Sequence, residues 1–322
     1  MKVAILSFAH ERAETYARLL RDMPGVDLVA ADPDGAPEER ARDRAVAERL
    51  GVSYVDSWDE LLAPRPAAVV VTAGADRRRE LVERAAGFRA RVLCEYPPPA
   101  KETDLKAMVD ACDSGGVRLT FASPACHGGA FATVRKGIAD GVVGALTTVL
   151  GSYNTRPGTE GGALGANAPY LLDLVDAVLD GEPAQQVYAQ TNNVLNGRSG
   201  VESAAIVTVR YRSGQVASFD CGWSLSAMDG PLVTFIGDKA SVEYNASPRL
   251  LGGFDAASGG ERRELGVDLY SLLLKDFLGT VETGAGIGPD GRAVLRTTRI
   301  IQAAYESAHL GQPVELVVPP GS

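Results

Sequence analysis

An acid and a phenol follow a short apolar run in the first third of the chain. Residues 92–94 read as a buried strand, and Glu95, Tyr96 and Pro97 come directly after it. In open α/β sheets, ligands bind at the carboxyl ends of the parallel strands. The Tyr96–Pro97 bond is a candidate for the cis form, which X-Pro bonds reach at low cost. Glu95 and Tyr96 are therefore candidate site residues, although a proline-terminated strand without any function gives the same pattern.

A second group of candidates lies in the first turn of the chain. A dinucleotide-binding fold usually carries G-x-G-x-x-G after its first strand, so that the backbone can approach a diphosphate. This chain has Ser7, Phe8, Ala9 and His10 there, and no glycine. We still expect the start of the following helix to offer free N–H groups to an anion. His10 either bonds a phosphate or is an exposed loop residue, and the sequence does not decide between these.

Asp32 is a stronger cofactor candidate. It ends the second predicted strand, at the distance from the first turn where a carboxylate accepts hydrogen bonds from a ribose diol. Its charge repels a 2′-phosphate, so the sequence favours NAD over NADP. The alternative is an aspartate that only forms a turn before a proline. Arg77, in the basic run 77–79, either reaches a cofactor phosphate or starts a solvated helix.

The elements that must position these residues change type near residues 123–124. In the first part strands alternate with helices, which predicts a doubly wound parallel sheet. The later strand-like runs follow one another, which predicts an open, mostly antiparallel sheet with helices on one face. We therefore predict an α/β chain with a Rossmann-type dinucleotide-binding domain at 1–122 and an α+β substrate-binding and oligomerisation domain at 123–322. We expect the uncovered sheet face to form a homo-oligomer, a dimer or a tetramer.

Composition excludes several classes of protein. The 322 residues carry a net charge of −9, which argues against nucleic acid or an anionic membrane as a partner. The four cysteines form no C-x-x-C pair, so we expect no metal site. The beginning of the chain lacks the apolar run of a signal peptide, and no run is long enough to span a membrane. We therefore expect a cytoplasmic protein with a small-molecule substrate.

The order of several short motifs resembles that of the Gfo/Idh/MocA family, which includes glucose–fructose oxidoreductase and inositol 2-dehydrogenase. Residues 92–97 resemble the family's E-K-P segment and 161–164 its G-G-A-L loop, whereas 72–77 stand where the family has its T-P-N-x-x-H turn and depart from it. Further matching segments are 138–144, 235–241, 276–278 and 304–308. The resemblance covers nearly the whole chain and implies an NAD(P)-dependent oxidoreductase acting on a sugar, a polyol or a related hydroxy or keto compound. It adds Thr72, Ala73 and Gly74 to the cofactor-binding candidates.

The chain departs from this family where the family does its chemistry. Tyr96 stands in place of the lysine of E-K-P. In the segment that matches D-x-G-x-H-x-x-D, Ala166 replaces the first aspartate, Tyr170 replaces the histidine, and only Asp173 keeps its type. If this segment is helical, Ala166, Tyr170 and Asp173 share one face. We predict that Tyr96, Tyr170 and Asp173 are catalytic, with the two tyrosines facing one cleft. The alternative is that both positions have lost their function.

Four further residues are substrate-binding candidates. Asn154 and Arg156 end a predicted strand and could bind sugar hydroxyls or a substrate acid. Asn167 follows the glycine-rich loop, and His127 either supplies an acid or base group or belongs to a loop or helix cap. Two functions other than redox turnover stay open. One is a ligand-binding or regulatory protein that kept the fold, and the other is a lyase or hydrolase that uses NAD transiently.

Overall fold

The computed structural model describes residues 1–99, 101–157, 161–195, 201–224, 230–252, 261–264, 268–283, 286 and 288–317. These residues form two compact units, Met1–Pro124 with Tyr270–Leu295, and Ala125–Leu269 with Arg296–Ser322. The division that the sequence predicts falls close to the first boundary, but it gives 270–295 to the second domain. In the structure these residues belong to the first unit, because Leu273, Leu274 and Phe277 are buried in its core.

The first unit contains a six-stranded parallel sheet, as predicted. Its strand order is β3-β2-β1-β4-β5-β6, so the order reverses between β1 and β4. Ligands of such sheets bind at this reversal, beyond the carboxyl ends of the strands. The strands are β1 Lys2–Leu6, β2 Asp27–Ala31, β3 Ser53–Val55, β4 Ala68–Val71, β5 Arg91–Cys94 and β6 Leu119–Phe121. The intervening helices are α1 Ala13–Arg21, α2 Pro37–Leu50, α3 Trp58–Leu62, α4 Arg78–Gly87 and α5 Glu102–Gly115.

Local sequence explains several of these elements. All four residues of β4 are buried, as a continuous β-branched run in a central parallel strand requires. Helix α2 begins with Pro37 in its first turn and ends at Gly51, whose φ of 67° is left-handed. Helix α3 begins after Ser57, whose side chain accepts a hydrogen bond from the Glu60 N–H.

The second unit contains a seven-stranded sheet of order β12-β11-β7-β10-β9-β8-β15. Only the β7–β10 pair is parallel, which confirms the mostly antiparallel prediction. The strands are β7 Leu146–Thr155, β8 Ala184–Asn192, β9 Ala204–Tyr211, β10 Val216–Trp223, β11 Leu232–Gly237, β12 Ser241–Asn245 and β15 Val314–Glu315. Strands β13 Arg249–Gly252 and β14 Glu261–Glu264 form a separate pair. The remaining helices are α6 Gly129–Ala139, α7 Ala163–Val178, α8 Leu269–Thr283 and α9 Gly291–Leu310.

One face of this second sheet carries the core. Val207, Val209 and Phe219 point inward and pack with residues of α6, α7 and α9. Alternate residues point to the other face, where Leu150 and Ile206 are exposed. The one-sided coverage that the sequence predicts is therefore present, and the homo-oligomer stays a prediction. Within the described ranges, none of the helices is both long enough and apolar enough to cross a membrane.

Candidate functional site

The first turn is tied to the two neighbouring strands. Ser7 has a φ of 71°, in the left-handed region where glycine is favoured. Its N–H donates to the Ala31 carbonyl at 3.0 Å, and its hydroxyl oxygen accepts from the Ala9 N–H at 3.2 Å. The Thr72 hydroxyl donates to the Ser7 carbonyl at 2.6 Å. These bonds hold a turn that usually depends on glycine.

Several amide groups of this turn are engaged within the protein. The Phe8 N–H donates to the Asp43 carboxylate at 2.9 Å, and the His10 N–H donates to the Thr72 carbonyl at 2.9 Å. The Arg12 N–H donates to His10 Nδ1 at 3.3 Å. Phe8 and His10 precede α1, so of these three residues only Arg12, at the N-cap, bears on the expected free N–H groups of the helix start, and its N–H is engaged. Without a glycine, the turn has closed on neighbouring side chains and carbonyls.

Asp43 is a buried carboxylate that no sequence pattern singles out. It lies on α2 and is 0% exposed. Burial raises the pKa of Asp43, while its bonds to the Phe8 N–H and to Arg42 oppose the change. The Arg42 guanidinium donates to its other oxygen at 2.9 and 2.7 Å. On sequence alone this aspartate is indistinguishable from a helix-surface residue, because its neighbours are charged.

His10 connects the first turn to Tyr96. Burial lowers the pKa of His10 to about 4, with further lowering by the cations of Arg78 and Arg12. A hydrogen bond to the Tyr96 backbone opposes this lowering. Since Nδ1 accepts from Arg12, the other ring nitrogen is the one that donates to the Tyr96 carbonyl. The imidazole is therefore neutral at pH 7 and bonded on both sides, so His10 is not an exposed loop residue, and its bonding to a phosphate stays a prediction.

Asp32 and Arg77 form an ion pair at the end of β2. The Asp32 side chain is 1% exposed, and Arg77 Nη1 lies 2.8 Å from Oδ1 and 2.9 Å from Oδ2. Only the Oδ2 contact has hydrogen-bond geometry. Oδ1 of Asp32 and Nη2 of Arg77 are buried without a hydrogen-bond partner among the described residues. The pair thus keeps unused hydrogen-bonding capacity, which suits a site that receives a polar ligand such as a ribose diol.

Glu95 and Tyr96 lie at the carboxyl end of β5, where the sequence places them. Glu95 is 2% exposed. One of its carboxylate oxygens accepts a hydrogen bond from the Tyr16 hydroxyl, and the other accepts one from the Tyr96 N–H at 2.9 Å. Burial raises the pKa of Glu95, and its bond to Tyr16 is the largest opposing effect. The Tyr96–Pro97 bond is cis, as anticipated. The Tyr96 ring is 3% exposed and packs on Phe121, with ring centroids 5.6 Å apart.

Arg78 is a buried cation beside these residues. Its side chain is 1% exposed, its Nε donates to the Ala73 carbonyl at 3.0 Å, and its Nη1 donates to the Pro97 carbonyl. The guanidinium thus joins the end of β4 to the residue that follows Tyr96. Reading 77–79 as a solvated helix start is wrong at Arg78, because one of the three arginines turns inward. Gly74, in the same turn, leaves room for Asp76, whose Oδ1 would lie 2.8 Å from a Cβ there.

In the second unit, the segment 166–173 is helical as predicted and belongs to α7. Tyr170 is half-buried and stands edge-on to Tyr153 on β7, with centroids 5.7 Å apart. Asp173 is 2% exposed, and the Thr297 hydroxyl of α9 lies 3.5 Å from its Oδ1. Asp173 is therefore a buried carboxylate facing another helix rather than a surface one.

Asn167 is bonded at both ends of its amide. Its Oδ1 accepts from the Thr155 hydroxyl at 2.9 Å, and its Nδ2 donates to the Gly222 carbonyl at 3.0 Å. The side chain is 0% exposed. It ties α7 to the ends of β7 and β10, so its first role is to hold these elements together.

Asn154 does not join Tyr170. Tyr153 is on the helix-covered face of β7, so Asn154, the next residue, points to the open face. Its Nδ2 lies 3.5 Å from Oδ2 of Asp220 there. Asn154 thus points away from the face on which Tyr170 packs, and its binding of a substrate stays a prediction. Arg156 is exposed beyond the end of β7. His127 is 1% exposed in the loop just before α6, and its role in substrate binding stays a prediction.

A carboxylate also occupies the start of α7. Glu202 accepts from the Leu164 N–H at 3.0 Å and from the Tyr305 hydroxyl at 2.9 Å. A Cβ at Gly162 would lie 2.0 Å from this carboxylate, so the close approach requires a glycine there. The G-G-A-L segment is thus explained locally by a helix cap. Among the described residues, no group of three or more His, Cys, Asp or Glu side chains could hold a metal ion.

Comparison with known proteins gives consistent results. Residues 8–123 match the model of an oxidoreductase family described as an NAD-binding Rossmann fold, and residues 151–316 match the C-terminal α/β domain of the same family. A D-xylose 1-dehydrogenase (NADP+) of Haloferax volcanii is 27% identical over 87% of this chain and 90% of that protein. A D-apiose dehydrogenase of Paraburkholderia graminis is 25% identical over 92% of this chain and 84% of that protein.

Solved structures show the same fold. The myo-inositol 2-dehydrogenase of Lactobacillus plantarum superposes with a TM-score of 0.82 and 17% identity, over 98% of this chain and 99% of the other. A probable dehydrogenase of Thermotoga maritima also has a TM-score of 0.82, with 20% identity over 98% of both chains. The two family models together span most of the sequence. The chain therefore belongs to the Gfo/Idh/MocA oxidoreductase family.

Proposed function

We propose that this protein is an NAD(P)-dependent oxidoreductase of a sugar, a polyol or a related hydroxy or keto compound, in which Tyr96 exchanges the proton with the substrate oxygen. The observation that carries the proposal is the position of Tyr96 at the carboxyl end of β5, in the family's lysine position. Relatives named for D-xylose, D-apiose and 1,5-anhydro-D-fructose support the substrate class.

The cofactor would accept or donate the hydride, and this chain's residues would position it. Asp32 would accept from the adenosine ribose, since its Oδ1 has unused acceptor capacity. The amides of Phe8, His10 and Arg12 are engaged in the described conformation, so a diphosphate could use them only after the turn changes. The charge of Asp32 favours NAD, but the Arg77 guanidinium balances that charge and weakens the repulsion of a 2′-phosphate.

Tyr96 needs help to act as an acid or base. The pKa of an ordinary tyrosine is about 10, so a nearby cation or a proton relay is required at neutral pH. The buried Arg78 binds the carbonyl of the next residue, Pro97, and so brings a cation to this segment. Glu95 and His10 bond the Tyr96 backbone N–H and carbonyl and fix its place. A phenol set in this way donates to a carbonyl oxygen or accepts from a hydroxyl.

Tyr170 and Asp173 are proposed as the catalytic contribution of the second unit. They stand where the family has a histidine and an aspartate. The half-burial of Tyr170 leaves part of its ring accessible, while Asp173 is buried and would act by positioning α7 or Tyr170. His127 and Arg156 stay as proposed substrate-binding residues.

Replacement of single hydroxyls tests the proposal. On an established substrate, Tyr96→Phe keeps the ring and removes the proton, so kcat should fall roughly a hundredfold. If Tyr170 shares the proton transfer, the kcat of Tyr170→Phe should fall by a similar factor. Tyr188→Phe is the matched control, because this tyrosine lies on β8 and bonds Gln190 on the open face. Turnover near that of the control in both variants would leave the two tyrosines as packing residues.

A second candidate function is favoured by the closed first turn. If the amides of Phe8 and His10 keep their partners, the protein binds a ligand without hydride transfer and acts as a binding or regulatory protein, or uses NAD only transiently in a lyase or hydrolase reaction. Titration with NADH and NADPH identifies the binding or regulatory protein, which would bind neither cofactor. A lyase or hydrolase that uses NAD would bind it and would show no net oxidation or reduction of the cofactor during turnover.

A further inference from the structure

The Asp32–Arg77 pair would place a carboxylate and a guanidinium together beside the 2′-hydroxyl of an adenosine ribose. Asp32 accepts hydrogen bonds and prefers a 2′-hydroxyl, whereas a guanidinium prefers a 2′-phosphate. Their exposure differs, because the Asp32 side chain is 1% exposed and that of Arg77 is 22% exposed. The cation is therefore the more accessible partner of the pair.

Arg77 is also the partner that is free to change its contact. It stands at the amino end of α4, where the partial positive charge of a ten-residue helix favours an anion. Its Nη2 is buried without a hydrogen-bond partner among the described residues, so one side of its guanidinium fork is unused. Because Nη2 has almost no exposed surface in the described conformation, a phosphate oxygen would bind it only after the guanidinium turns toward solvent. The same movement would release Asp32 to accept from a ribose hydroxyl.

Two further acids limit how far the site can favour a phosphate. Glu39 and Glu80 interact electrostatically with Arg77. Together with Asp32, they would repel the doubly charged 2′-phosphate that Arg77 attracts. The opposing charges predict similar affinities for the two cofactors rather than a strong preference for either one.

We propose that Arg77 is the residue that sets cofactor choice, and that the Asp32–Arg77 pair makes the protein accept both NAD(H), through Asp32, and NADP(H), through Arg77. This inference rests on the proposed function, because it requires a nicotinamide cofactor. It predicts that the two members of the pair have opposite effects on selectivity.

The experiment is a fluorescence titration of the purified protein with NADH and with NADPH. The wild type should bind both, with Kd values within about tenfold of each other. Arg77→Gln should weaken NADPH binding roughly ten- to a hundredfold, the loss of one or two charge-assisted hydrogen bonds, and leave NADH binding within about threefold. Asp32→Asn should weaken NADH binding more than NADPH binding. Arg79→Gln is the matched control, because Arg79 is a neighbouring exposed arginine paired with Glu83 and should leave both affinities unchanged.

Each outcome of the titration either supports or overturns the inference. The inference is overturned if Arg77→Gln has the same ratio of Kd values for NADH and NADPH as the wild type. NADH binding in the same experiment would still uphold the cofactor part of the proposed function. A wild type that binds neither cofactor overturns both. If Arg77→Gln does not fold, Arg77→Lys replaces it: lysine keeps the charge but loses the fork, and the ratio should fall between those expected for the wild type and the glutamine variant.

Discussion

Protonation of His10 should destabilise the protein, and the size of the effect follows from its surroundings. The pKa of His10 is lowered from 6.5 to about 4, chiefly by burial. Between these values the unfolded chain holds the proton and the folded protein does not. The stabilisation from the neutral imidazole is therefore complete above pH 6.5 and is lost as the pH falls toward 4. This lowering of the pKa corresponds to a contribution of at most about 3.4 kcal/mol to the free energy of unfolding. Because solvent screens a half-buried ring, we expect a loss of about 1–2 kcal/mol on protonation.

Urea unfolding at closely spaced pH values between about 4 and 6.5 measures this effect. His10→Gln is the key variant, because glutamine keeps hydrogen-bonding groups but does not titrate. Glu95 and Asp43 also titrate differently in the folded protein, but they do so in both proteins and cancel in the difference. His309→Gln removes an exposed histidine and should change nothing. Identical pH slopes of the wild type and His10→Gln would refute the placement of a neutral, internally bonded imidazole in the first turn.

Two predictions concern the second unit. Gly237→Ala should lower the free energy of unfolding in urea by more than about 2 kcal/mol, because a Cβ there would lie 2.1 Å from the Val143 carbonyl oxygen. Gly137→Ala on α6 is the control, because it has room for a Cβ and should stabilise the protein slightly. A Gly237→Ala variant as stable as the Gly137→Ala variant would contradict this packing. Light scattering should report a homo-oligomer for the wild type and a smaller species for Ile206→Arg, which puts a charge on the open sheet face. A monomeric wild type at micromolar concentration would rule out the proposed interface.

The fold was predictable because its signals are local. The run Ala68–Val71 indicates a buried parallel strand whatever surrounds it, and Gly51 indicates the end of α2. The short segments of the family resemblance are local in the same sense, and both family models confirm the family membership that they indicate.

The candidate site was less predictable because its geometry depends on distant partners. Arg78 and Arg79 are adjacent in sequence, yet only Arg78 turns inward, to carbonyls that another strand end supplies. Asp43 is buried because the first turn offers it the Phe8 N–H from 35 residues away. The face to which Asn154 points was not evident from the sequence, because Gly151 and Ser152 give β7 no clear pattern of alternating apolar and polar residues.

Transfer of deuterium is the measurement that tests the central claim most directly. The protein is incubated with a panel of keto sugars, aldoses and cyclic ketones and with reduced nicotinamide cofactor that carries deuterium at its hydride position. The masses of the products are then measured by mass spectrometry. The account predicts a sugar or polyol product that carries the deuterium, formed roughly a hundredfold more slowly by Tyr96→Phe. Saturable binding of the cofactor without deuterium in any product of the panel would contradict hydride transfer and leave the fold with another function.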